Sequence, residues 1–147
     1  MKKKRVTKKQ PLKALEWLDF GIFPGYVLLC YNMNYDEIRQ ELNKKKTEYW
    51  HFGIRDDEKL INSGNWCALK RELINKDNGE IRKLFYIIIS STFKNTDYDY
   101  AKLAHEVTHI CQFYLPHVLD RNKELEAEAY LHTHLMMQCL KVIKGKP

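Results

Sequence analysis

Two stretches of the chain are apolar almost without interruption. Residues 26–31 (YVLLCY) and 84–91 (LFYIIISS) are rich in β-branched and aromatic side chains, the pattern of strands buried on both faces. The turn signal Phe23-Pro24-Gly25 precedes the first. Residues 35–46 have helical periodicity instead, with Ile38 and Leu42 inward and Lys44, Lys45 and Lys46 at the end that suits the helix dipole. Residues 65–73 read as a strand closed by a turn over 75–79, and 12–20 as a short helix or an anchoring segment. Residues 50–61 fit no single element. After the strand at 84–91 come two helices. The first covers 100–115, with Asp97 or Asp99 as cap and Pro116 as stop; the second covers 123–142, with Asn122 as cap. Strands mixed with helices, then two long helices, predict a single-domain α+β architecture. In it, a small mixed sheet packs on the first of these helices and on the C-terminal one.

Charge changes this picture at one end only. Of the 25 Lys and Arg residues, seven lie in residues 1–13, which contain no acid; the remaining 134 residues hold 18 basic and 19 acidic side chains. The net charge of +6 therefore belongs to a basic leader, and residues 14–147 form a nearly neutral domain. A nucleic-acid-binding domain carries its charge across a folded face, so nucleic acid is not the expected partner. No apolar stretch reaches membrane-spanning length, and no hydrophobic signal segment follows the basic residues. The four cysteines (Cys30, Cys67, Cys111, Cys139) form no CxxC pair and sit among apolar neighbours. Free thiols in a cytoplasmic protein are expected.

The chemistry lies in residues 105–109, His-Glu-Val-Thr-His. On a helix, positions i and i+4 share a face, so His105 and His109 reach one ion. Imidazole nitrogens bind zinc at about 2.0–2.1 Å. Glu106, about 100° round the helix, misses the ion yet reaches the water it activates and serves as general base. Leu103, Val107, Ile110, Cys111 and Tyr114 project to the opposite, apolar side, which leaves Cys111 no ligand role. Catalytic zinc takes three protein ligands and an open position. Gln112 and Leu115 stand where the HExxHxxGxxH arrangement has Gly and His, so the third ligand is not there. Glu124, Glu126 and Glu128 follow His109 by 15, 17 and 19 positions on the next helix, and helical phase leaves all three open. Glu126 leads a face with Ala129, Tyr130, Thr133 and Met137; Glu128 leads one with Leu131, His132, Leu135 and Cys139.

The pairing of His105–His109 with Glu-Leu-Glu-Ala-Glu-Ala-Tyr-Leu (residues 124–131) resembles small gluzincin-type zincins of phages and mobile elements, and more distantly the ImmA/IrrE group. The similarity covers residues 84–137. It implies a minimal zincin-like fold, a Zn2+ cofactor, and Glu126 as third ligand, matched by Ala127, Ala129 and Tyr130. Where the ImmA/IrrE group often has Asn, this chain has Glu128. The expected function is zinc-dependent hydrolysis of a peptide bond in a cytoplasmic protein or peptide bound extended beside residues 84–91. Tyr130 is the first candidate for oxyanion donor. His117, His132 and His134 are weaker candidates, and His51 sits in an aromatic cluster of core type. The competing expectation is a zincin-fold protein that binds zinc without turnover and acts as an interaction or assembly module in a phage or mobile element.

Overall fold

The computed structural model describes residues 13–44, 50–51, 57–75, 77–117 and 125–145. In chain order these form β1 (Ala14–Phe20), β2 (Phe23–Tyr31), α1 (Tyr35–Leu42), β3 (Trp50–His51), α2 (Asp57–Asn62), β4 (Cys67–Asn75), β5 (Ile81–Ser90), α3 (Asp97–Tyr114), a 3₁₀ turn at Leu115–His117, and α4 (Leu125–Lys144). The basic residues 1–12 and the expected cap Asn122 lie outside the described residues.

The two apolar runs become neighbouring central strands. The sheet order is β1-β2-β5-β4-β3, four long strands and the two-residue β3. β2 and β5 are parallel, with Val27 opposite Tyr86 and Tyr31 opposite Ser90; the other pairings are antiparallel. Side chains alternate between the faces of a strand, so each run fills two cores. Val27, Leu29, Tyr31, Tyr86 and Ile88 join Leu103, Val107, Ile110, Leu131 and Leu135 beneath α3 and α4. Leu28, Cys30, Phe85, Ile87 and Ile89 join Ile38 and Ile61 beneath α1 and α2. Each fully buried aliphatic or Phe side chain contributes about 1.5–3 kcal/mol. The mixed sheet packed on two C-terminal helices matches the expectation; the second helical layer on its other face comes from α1 and α2.

Of residues 12–20, expected as a short helix or an anchoring segment, Ala14–Phe20 form a strand. Its residues pair in register with β2 from Ala14 opposite Tyr31 to Asp19 opposite Tyr26, and Leu18 and Phe20 are buried. The segment is short, and pairing with an apolar neighbour outweighs its weak helical pattern. Residues 50–61, which fitted no element, contain β3 and the start of α2. Arg71 on β4 secures α2 through a two-pronged ion pair to buried Asp57, at 2.6 and 2.8 Å. None of the four cysteines forms a disulfide. Among the described residues, no helix is long and apolar enough to cross a membrane.

Candidate metal centre

Helix α3 begins three residues earlier than its apolar periodicity suggests, because the polar residues before it supply a capping box. Thr96, not Asp97 or Asp99, is the N-cap: its hydroxyl accepts the Asp99 N–H, and Asp99 receives the Thr96 N–H in return at 3.1 Å. Asp99 also accepts from the Trp66 indole N–H at 3.1 Å and the Lys94 N–H at 3.0 Å. Burial works to raise the Asp99 pKa, but the bonds from Thr96, Trp66 and Lys94 outweigh it and hold the carboxyl below its usual range. The helix that carries the candidate ligands is thereby tied at its start to the entrance of β4.

The apolar side of α3 is as periodicity predicts. Leu103, Val107, Ile110, Cys111 and Tyr114 are all buried against the sheet. That leaves His105 exposed and His109 half-buried on the other side. Their Nε2 atoms stand 3.0 Å apart, so the two rings converge on one point. Two ligands of a tetrahedral zinc at 2.0–2.1 Å would be separated by roughly 3.3 Å. His109 Nδ1 faces Gln112 Oε1 at 3.1 Å, and donating there leaves the Nε2 lone pair free for a metal. This donor pair fits a zinc ion. Thr108, on the same helix, and His132, on α4, both direct a donor at the Ala104 carbonyl, at 3.0 and 3.2 Å, and the His132 contact joins α4 to α3 next to His105.

Glu106 lies between the helix and the sheet, only 6% exposed. Burial pushes its pKa up, against the opposing pull of His109, His105, Lys102 and the Ala68 backbone N–H. The proximity of Ala68 identifies the strand beside the motif as β4. β5 cannot take that place: β2 flanks it on one side and β4 on the other, so it has no edge to offer a peptide, and the expectation for residues 84–91 is corrected here. β3 pairs only with Ile74 and Asn75, so among the described residues β4 has no strand on its outer side from Cys67 to Leu73.

The structure divides the remaining candidates. On α4, Leu131, Leu135, Cys139 and Ile143 are the buried positions, which makes the face led by Glu128 the inward one. Glu126, Ala129, Tyr130, Thr133 and Met137 are exposed. Among the described residues, no three His, Cys, Asp or Glu side chains are grouped as a complete metal site. Glu124 lies outside the described residues, as do the side chains of His51 and His117. Tyr130 packs edge-on to Phe23 with its hydroxyl above Gly21, both at the β1–β2 corner, and stacks on His134 of its own helix. Gly21 has φ +67°, and a Cβ there would lie 2.7 Å from the Tyr130 hydroxyl. His134 is held by Asp19 at 2.9 Å. The motif marks His105, Glu106 and His109; sequence patterns do not mark Ala68 or Trp66, whose contacts join elements distant in the chain, while Gln112 meets His109 one turn along the same helix. No protein-family model matches the chain, and no characterised protein or solved structure matches it.

Proposed function

We propose that this chain is a zinc-dependent metallopeptidase of zincin type. The observation that carries the proposal is the convergence of the His105 and His109 Nε2 atoms, 3.0 Å apart, with buried Glu106 between them and the open edge of β4. His105 and His109 are the first two ligands. For the third, Glu128 takes precedence over the Glu126 that the resemblance favours, because Glu128 leads the face of α4 that packs inward. Zinc, when bound, supplies a Lewis acid and lowers the pKa of water towards about 7.

The chain's own residues do the rest. A peptide in extended form adds to the outer side of β4 beside residues 67–70, where no strand lies among the described residues. That places its backbone alongside Glu106, whose neighbour is Ala68. Glu106 accepts a proton from the attacking water and returns it to the leaving amine. Burial strengthens it as a base by raising its pKa. Tyr130, turned to the β1–β2 corner, has no part in this scheme.

The test is zinc content by elemental mass analysis, followed by peptide cleavage. About one zinc per chain in the wild type, lost in His109→Ala and in Glu128→Ala but retained in Glu126→Ala, is the expected result. Loss in Glu126→Ala instead returns the third ligand to Glu126. Zinc binding with turnover abolished by Glu106→Gln supports a peptidase; a wild type that takes up no added zinc rejects the proposal.

A further inference from the structure

A cavity of about 290 Å³ opens where the start of β4 meets the first turns of α3. Asn65, Trp66, Thr92, Lys94, Tyr98 and Lys102 line it. Its position relative to the candidate centre follows from the chain. Trp66 immediately precedes β4, and Lys102 lies one helical turn before His105, with its charge felt at Glu106. The cavity thus adjoins the start of β4 and the helical turn before His105.

The cavity is cationic. Neither Lys94 nor Lys102 has a carboxylate within ion-pair distance among the described residues. The Lys102 ammonium stands 5.6 Å over the Tyr98 ring. The one acid in the lining, Asp99, already accepts from the Trp66 indole, the Lys94 and Thr96 N–H groups and the Thr96 hydroxyl. Its charge is committed to starting the helix, and the two lysines leave the cavity with an excess of positive charge. An indole and a phenol ring flank these ammonium groups, giving the stem of an acidic side chain apolar surface to lie on.

We infer that this cavity is the substrate-recognition pocket for a carboxylate close to the scissile bond. The inference rests on the peptidase reading for its place in the reaction. The carboxylate belongs either to an Asp or Glu side chain or to the C-terminus of the peptide; both present the same group to Lys94 and Lys102.

Binding and cleavage test it separately. Binding is followed by ¹⁵N–¹H NMR of the full chain. The probes are blocked peptides that differ only in glutamate or glutamine at one position, and an alanine peptide with a free or amidated C-terminus. The glutamate peptide, the free-terminus peptide or both should move the Trp66 indole and the amides of residues 94–102, while the glutamine and amidated peptides leave them unmoved. Lys94→Gln and Lys102→Gln should each weaken that binding about tenfold, as expected for loss of a charge-assisted hydrogen bond. The same spectra report whether the variants fold. Which acidic probe binds decides between side chain and terminus. Equal shifts with acidic and neutral peptides, no shift with any, or shifts that survive both lysine substitutions overturn the pocket. A zinc-loaded chain that cleaves peptides without preference for an acid also overturns it and leaves the peptidase standing. A chain without zinc or turnover that still binds the glutamate peptide through both lysines overturns the peptidase and leaves the pocket.

Discussion

Helices α3 and α4 lie on the same face of the sheet, and each carries two histidines, yet the pairs do opposite things. His105 and His109 are four residues apart, share one side of α3 and turn their Nε2 atoms towards each other. His132 and His134 are two residues apart, which is about 200° round a helix, so they point to different neighbours. One meets the Ala104 carbonyl on α3 and the other meets Asp19 on β1. Gln138, one turn further on, adds bonds to both the Asp19 carboxylate and the Asp19 carbonyl. The first pair is thus arranged to share a ligand, and the second fastens α4 between α3 and the edge of the sheet. Spacing alone separates a pair whose rings converge from a pair that anchors a helix.

The sharpest way to break this comparison is to remove one histidine from each pair. His109→Ala should lower zinc affinity on the order of a hundredfold or more, with the unfolding free energy of the zinc-free protein nearly unchanged. His132→Ala should keep about one zinc per chain. Elemental mass analysis and competition with a chelator check both, and zinc lost equally from the two variants would erase the distinction. A smaller effect is expected from Gln112→Ala, which removes the partner of His109 Nδ1: zinc should bind about 10–100-fold more weakly, because the ring loses the bond that orients it.

Stability probes sharpen the comparison from the other side. Asp99→Asn should cost about 1–2 kcal/mol in urea unfolding at neutral pH, since Asp99 completes the capping box at the start of the helix that carries His105 and His109. Its folded pKa is lowered, so its contribution is present above the unfolded value of about 3.9 and lost as pH falls through the folded one. The gap between wild type and Asp99→Asn should therefore shrink only below about pH 4; a gap constant down to pH 2 would contradict this. His134→Ala should cost less than about 1 kcal/mol, because Asp19 is largely exposed and water screens the pair. It should leave zinc untouched.

The parts legible in the sequence are those set by short-range spacing. The apolar side of α3, the i, i+4 histidines and the two buried strands follow from which residues recur within a few positions, and each stands where its pattern predicts. The start of α3 was less legible, since either Asp97 or Asp99 suits a cap on residue type, and only the reciprocal bonds reveal Thr96 as the cap. β1 was misread for a related reason: a seven-residue strand owes its conformation to the partner it pairs with more than to its own pattern.

What the sequence determined by itself is therefore the meeting of two imidazoles on one side of α3, because a helix brings its own i and i+4 residues together whatever surrounds it. Tertiary structure decided what surrounds them. β5 enters the sheet between β2 and β4, so β4 becomes the strand beside Glu106, and α4 leaves Glu128 half-buried while Glu126 and Tyr130 remain exposed. Strand order and helix rotation depend on burying whole faces against partners far along the chain, and no local pattern carries that information.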